Sequence, residues 1–171
     1  MKKFFFIFLF IILNSSILSA DSPYFLDFKL ILNESDAGKK AQNFLKKKLE
    51  SGIENIKKKE KSFQEDEKKI IQQKKIISAE EYKKKVTDLR QKVNSLQKER
   101  NTLLDQVAKQ RAKARTELLK NLNPIIQDYM KKNNIRMAVD KKSLLLADEK
   151  LNITEEIMSL LNKKIKSINL K

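Results

Sequence analysis

The sequence contains no cysteine and no histidine, and it has only two glycines and two prolines among its 171 residues. Without cysteine there is no disulfide framework and no thiol nucleophile. Without either residue type, the commonest zinc ligands and the commonest general base are missing. No spacing of serine, lysine or carboxylate side chains indicates a catalytic group in their place. We therefore expect no enzymatic activity, no metal and no cofactor.

Aromatic residues are also scarce, at 7%, whereas charged residues make up 35% of the chain. With so little glycine and proline, this composition is typical of long helices that carry little tertiary core. The formal net charge is +16, and residues 39–100 contain 20 basic against 10 acidic side chains. A surface of this kind attracts polyanions or acidic protein segments.

The first 20 residues have the three parts of a secretory signal peptide. A basic start is followed by ten consecutive apolar residues, Phe4–Leu13, and by a polar run that ends in Ser19–Ala20. The apolar run is shorter than the roughly 20 residues that a membrane-spanning helix needs, although a retained anchor is the alternative interpretation. We expect the mature chain outside the cytoplasm, which argues against nucleic acid as the partner of the basic surface.

Residues 39–122 predict a long helical hairpin, because they include no proline and a single glycine. Apolar residues recur every seven positions along the first helix, as in a coiled coil, at Leu49, Ile56, Phe63, Ile70 and Ile77. The companion positions change from apolar to polar at Glu60, Glu67 and Lys74. Half of the predicted seam is therefore polar, so we expect a slender and mobile arm.

The chain is expected to reverse near residues 77–80, where Ser78–Glu81 forms a capping box. On the return, Arg100 interrupts an apolar series that runs from Tyr82 to Val107. These stripes either hold the two helices together or remain partly open near the tip and contact a bound chain. The candidates for such contacts are Phe63, Ile70, Ile77, Tyr82 and Leu89, with the basic residues Lys74, Lys83, Lys84 and Lys85.

The segments outside the hairpin predict a small α+β head, formed by residues 21–38 and 123–171. Residues 24–28 suit a short strand, and Ser35 followed by Asp36 suits a helix start. Pro124 is expected to kink or restart the second helix. Residues 135–140 and 143–147 predict a two-stranded hairpin, and Thr154 begins a last amphipathic helix. The fold class is thus mainly α, with about three short strands, and so small a head needs an oligomer for further burial.

The stretch FLDFKLILNESDAGKKAQNFL resembles the opening of the Skp/OmpH family of periplasmic chaperones, including the Gly-Lys-x-Ala helix start, here Gly38–Ala41. The far end is similar too, with a strand that ends in Val139–Asp140 and a helix that starts at Ile153–Thr154. Asn152 stands where many members carry aspartate. The resemblance covers the whole mature chain.

This resemblance implies a homotrimer with a β-rich body, whose three arms enclose a cavity. It also implies an ATP-independent periplasmic holdase that binds unfolded outer-membrane proteins, with contact to an anionic lipid or membrane surface as a further possibility. No phosphate-binding glycine loop is available in a chain with two glycines. The alternatives are an exported structural coiled coil and an envelope protein that binds polyanions.

Overall fold

The computed structural model describes residues 22–170, so the predicted signal peptide lies outside the described residues. Two long helices dominate, α2 at Asp36–Gln73 and α3 at Ala79–Lys132. The remaining elements are the strands β1 (Tyr24–Leu26) and β2 (Ala138–Asp140), the helices α1 (Phe28–Glu34) and α4 (Thr154–Lys164), and two 3-10 turns at Lys141–Ser143 and Glu149–Leu151. The predicted mainly α fold is confirmed.

Helices α2 and α3 pair in antiparallel orientation and form what we call the arm. Lys48 of α2 contacts Gln110 of α3, Lys59 contacts Glu99, and Gln73 contacts Lys85, so partner numbers fall along α3 as they rise along α2. With 38 residues at ~1.5 Å per residue, α2 is about 57 Å long.

Serine side chains cap the start of both arm helices, as expected. The Ser35 hydroxyl accepts a hydrogen bond from the Gly38 amide at 3.2 Å, and the Ser78 hydroxyl accepts one from the Glu81 amide at 3.1 Å. Each hydroxyl satisfies an amide that has no partner inside its helix. Ser35 and Ser78 are therefore the N-caps that the sequence predicts.

The two strands pair in parallel, with Phe25 opposite Val139, and β1 also forms an isolated bridge with Asn152. The predicted hairpin of residues 135–140 and 143–147 is wrong. The Asp140 carboxylate accepts a hydrogen bond from the Lys142 amide at 3.2 Å, which turns the chain into a 3-10 turn where a second strand was expected. Among the described residues there are thus two strands and one bridge, where about three short strands were predicted.

Helix α3 continues through Pro124, so of the two expected effects, a kink or a restart, the restart is wrong. Proline removes one helical hydrogen bond and normally disturbs a helix interior. Here the neighbouring residues Leu122, Ile125 and Ile126 are buried in the largest apolar core. Their burial on both sides of the proline favours continuation of the helix.

That core lies at the base of the arm, where β1, α1, α3 and α4 meet. Its most buried large side chains are Leu26, Ile31, Leu122, Ile157 and Leu161, each with at most 1% of its surface exposed. The Asp27 amide donates to the Thr154 hydroxyl at 2.9 Å, and the Asp36 amide donates to the Asn162 side-chain oxygen at 2.8 Å. We call the elements around this core the head, from which the arm projects.

Candidate functional site

The apolar seam of the arm is well buried near the head and partly open beyond it. Leu45 and Ile56 of α2 are only 4% and 2% exposed. Farther out, the predicted contact residues are all partly exposed, namely Phe63, Ile70, Ile77, Tyr82 and Leu89. Their side chains are therefore shared between the helix interface and the solvent.

The polar positions of the seam are matched across the two helices. Glu60 and Arg100 interrupt the apolar series of their own helices, and their side chains lie 3.5 Å apart. Lys59 and Glu99 form a closer pair at 2.6 Å. The pairing was missed from the sequence, although an antiparallel register places the two interruptions side by side. Because these side chains are 41–49% exposed, each pair contributes at most about 1 kcal/mol.

A groove of about 580 Å³ lies between the side chains of α2 and α3 in the middle of the arm. Its apolar lining includes Phe63 and Leu89, so two of the predicted contact residues share one surface. Ile70, Ile77 and Tyr82 do not line it. The charged side chains at its edge are Glu60, Glu67, Arg90 and Arg100. The groove is open to solvent. An apolar side chain bound in it would contact apolar atoms, with acidic and basic side chains at the edge.

The tip of the arm, residues 71–85, combines exposed isoleucines with lysines. Ile76 is 83% exposed and Ile71 is 58% exposed. Neither was a predicted contact residue, because neither lies on the seven-residue stripe. Their departure from the stripe was itself the available signal, since an apolar residue off the seam faces solvent.

The tip lysines differ in what they contact. The Lys85 ammonium donates to the Gln73 side-chain oxygen at 2.9 Å, which joins the two helices, and lies 3.6 Å from Glu81. The Lys74 ammonium lies 5.8 Å from the centre of the Tyr82 ring, within cation–π range. Lys83 and Lys84 are exposed. The predicted basic residues thus belong to the same tip segment as the exposed isoleucines, and Lys85 also joins the two helices.

Two ion pairs within single arm helices each shift the pKa of one of their members. A hydrogen bond from Lys58 holds the pKa of Glu54 below its usual value, and a hydrogen bond to Asp105 raises the pKa of Lys109. Within residues 22–170, no group of His, Cys, Asp and Glu could hold a metal ion. No helix in that same range is long and apolar enough to cross a membrane.

The five residues predicted to be structural all lie at joints of the chain. Gly38 is buried where α1 meets α2, and a Cβ atom added there would overlap the Leu32 carbonyl oxygen. Ser78 caps α3, and Pro124 lies where α3 enters the head core. Asp140 ends β2 and starts a 3-10 turn, while the Thr154 hydroxyl accepts from the Asp27 amide and donates to Asn152 at 2.5 Å.

A small head with one long basic hairpin defines the class of protein, a helical protein that bears a long arm. The family described as outer membrane protein (OmpH-like) matches residues 24–161, and the chain belongs to that family. The predicted family is therefore confirmed.

Among solved structures, the chain is similar to a candidate outer membrane chaperone (OmpH-like) from Caulobacter crescentus, with a TM-score of 0.80 and 19% identity. The match covers 86% of this chain and 89% of that one. At this identity the likeness shows the fold alone. No curated protein matches the chain.

Proposed function

We propose that the protein is an ATP-independent holdase chaperone that binds unfolded outer-membrane proteins and has no catalytic role. The observation that carries the proposal is the tip, where Ile76 and Ile71 are largely exposed in a segment rich in lysine. Folding of a single arm gains nothing from apolar side chains in these positions. Exposed apolar residues with a charged border are typical of a surface that binds other proteins.

The proposed mechanism is many weak contacts on a surface of one dominant charge. Lysines such as Lys83 and Lys84 attract acidic segments of an unfolded client and speed the encounter. The partly exposed seam residues then contact its apolar side chains. A mobile surface that makes many weak contacts accepts clients of different sequence, as a general chaperone must.

We further propose that residues 39–122 act as one of three arms of a homotrimer, whose heads are formed by residues 21–38 and 123–171. Support comes from the head surface, where Leu145 and Leu146 are 96% and 91% exposed. Two adjacent leucines without cover are unfavourable in water, and a second copy of the chain would bury them. Three arms on joined heads would enclose a cavity for the client.

The periplasm is the proposed location, since residues 1–20 have the parts of a cleavable signal peptide and the family is one of outer membrane proteins. In that compartment a nascent outer-membrane protein is still unfolded. A chain without cysteine also cannot form unwanted disulfides in an oxidising environment.

The tip contribution is tested by replacing Ile71 and Ile76 with aspartate. We expect the double variant to need several-fold more protein to suppress aggregation of a diluted, unfolded β-barrel protein, because its main exposed apolar contacts are lost. The matched control is Leu104→Asp, which changes a 50% exposed leucine of α3 away from the tip. Equal protection by the wild type and the double variant would contradict a contact role for the tip.

The same tip favours a second candidate function, docking on an anionic membrane surface. An isoleucine at 83% exposure beside lysines suits the interface between headgroups and acyl chains. We expect co-sedimentation with vesicles that contain anionic lipid and little with purely zwitterionic vesicles. Equal sedimentation with both would exclude an electrostatic surface, and binding to soluble polyanions alone would favour the envelope polyanion binder.

A further inference from the structure

After α4 ends at Lys164, residues 165–170 leave the head and cross the base of the arm. We call this segment the strap. It has neither helix nor strand, and it lies outside the 24–161 range that the family matches. Its position is therefore a property of this chain that the family assignment does not supply.

The strap places one leucine in an apolar site between the two arm helices. Leu170 is only 6% exposed and packs with Ala41 and Leu45 of α2 and with Ala114 of α3. Ile168 packs partly against the same cluster and partly against the head core. Because Ala41 and Ala114 have small side chains, they leave room on the two helices for the Leu170 side chain to be buried.

Polar groups around the site hold the strap by its backbone and by its charge. The Gln110 side-chain amide donates to the Leu170 carbonyl at 2.7 Å, while its oxygen accepts from Lys48 at 3.0 Å. The Lys48 contact fixes the orientation of the Gln110 amide. At the other end of the strap, the Lys166 ammonium lies 2.7 Å from the Asp36 carboxylate.

These contacts recognise features that many peptides share. A buried apolar side chain and a main-chain carbonyl carry no information about a particular sequence. Beside Leu170 there is an open space of about 190 Å³, lined by Lys40, Phe44 and Ile168 among others, which would admit a larger side chain. Phe44 is 43% exposed at its edge. The site has the properties of a general peptide site with a resident occupant.

We propose that the face formed by Ala41, Leu45, Gln110 and Ala114 is a binding site for an extended apolar peptide segment, and that the strap occupies it until a client segment displaces it. The inference rests on the proposed chaperone function in one respect, that a client segment is the molecule that displaces the strap. Because the strap is tethered a few residues from its site, its effective concentration is in the millimolar range, so a free peptide competes poorly while the strap is intact.

The test uses a fluorescent peptide with the sequence of residues 162–171, NKKIKSINLK, and the full chain. We expect the Leu170→Ser variant of the protein to bind this peptide at least tenfold more tightly than the wild type, because its own strap no longer fills the site. A peptide carrying the same Leu-to-Ser change is the control and should not bind. Fluorescence anisotropy gives the affinities, and circular dichroism confirms that the variant remains helical.

A second variant tests the same site with the strap linked to it covalently, so that the result does not depend on removing the Leu170 side chain. Because the chain has no cysteine, Ala114→Cys with Leu170→Cys introduces a single possible disulfide between two residues of the same buried cluster. The oxidised protein should exclude the peptide, and reduction should restore binding. Equal peptide binding by the oxidised and reduced forms, or by wild type and Leu170→Ser, would overturn the inference. Client protection measured on the same samples separates this result from failure of the proposed function.

Discussion

At the residue scale, the two glycines of the chain mark two close approaches of different kinds. A Cβ atom added at Gly38 would overlap backbone, the carbonyl group of Leu32, whereas one added at Gly52 would meet only the side chain of Leu103. Backbone at the α1–α2 junction cannot move without opening the head core. The end of a leucine side chain can change rotamer at lower cost.

We therefore predict effects of different size for the same substitution at the two glycines. Gly38→Ala should lower the free energy of unfolding by about 1–3 kcal/mol, the cost of overpacking a filled site. Gly52→Ala should change it by less than about 1 kcal/mol, because the gain in helix propensity offsets the shift of Leu103. Urea unfolding at one fixed protein concentration measures both. If the two variants lost the same free energy of unfolding, the site at Gly38 would not be more tightly packed than the site at Gly52.

The ion pair of the strap gives a prediction about pH. The Lys166 hydrogen bond holds the pKa of Asp36 below its ordinary value of 3.8. Since this lower pKa belongs to the folded state, the stabilising effect is present above pH 3.8 and is lost as the pH falls through the folded-state pKa. Lys166→Ala should raise the pKa of Asp36, measured by NMR titration, and weaken that dependence, since Lys40 and Lys39 also lower this pKa. The Lys163→Ala control should leave it unchanged; an unshifted Asp36 in Lys166→Ala would refute the pairing.

At the scale of elements, the arm is held by a few buried residues near the head and by charge pairs farther out. Ile56 is 2% exposed, whereas Ile71 is 58% exposed on the same helix. Ile56→Ala should destabilise α2 by about 2–5 kcal/mol through the cavity it leaves. Ile71→Ala, the matched control, should change stability by no more than about 0.5 kcal/mol. Hydrogen exchange of the α2 amides reports both, and faster exchange in Ile71→Ala than in Ile56→Ala would contradict this account.

Local signals in the sequence were enough to place the long elements. Ser35 and Ser78 act on amides three residues away, so their capping role is visible in a short window. The seven-residue stripe likewise depends only on helix geometry. The groove and the exposed Ile71 and Ile76 follow from the same stripe, but only once the two helices are set in register.

The strands were harder to predict because their partners are distant in sequence. Tyr24 pairs with Ala138, more than a hundred residues away, and no local pattern specifies a parallel pairing of that kind. The run Leu144–Ala147 has strand propensity, yet Asp140 turns the chain before it. Pro124 shows the same effect, since burial of its neighbours outweighs the local preference to break a helix. The strap was missed because its contacts are tertiary.

At the scale of the whole molecule, the head surface determines whether the arms work singly or together. We predict that Leu145→Asp combined with Leu146→Asp lowers the mass of the particle to that of one chain, because the charges would be buried at the proposed contact. Exposed residues on one chain should tolerate the change without loss of helix content. Light scattering gives the mass, with Leu104→Asp as a control that should keep the wild-type mass. If the double variant kept the wild-type mass, Leu145 and Leu146 would not be part of the contact between chains.

Salt separates the two forces proposed for client capture. If lysines steer acidic client segments, capture should weaken as ionic strength rises, because the screening length falls to about 3 Å at 1 M salt. Apolar contacts at Ile71, Ile76 and the seam should persist. Salt-independent capture by the wild type would show that the apolar residues act alone and that the lysine coat is not part of the mechanism.

The central claim is that the arms hold unfolded outer-membrane proteins, and dilution from urea tests it most directly. The mature chain is mixed with a urea-unfolded β-barrel membrane protein, the urea is diluted, and light scattering follows aggregation. With the chaperone in molar excess, counted as trimers, we predict that scattering stays near its starting value and that client and chaperone elute together. Aggregation that proceeds unchanged at that excess would contradict the account.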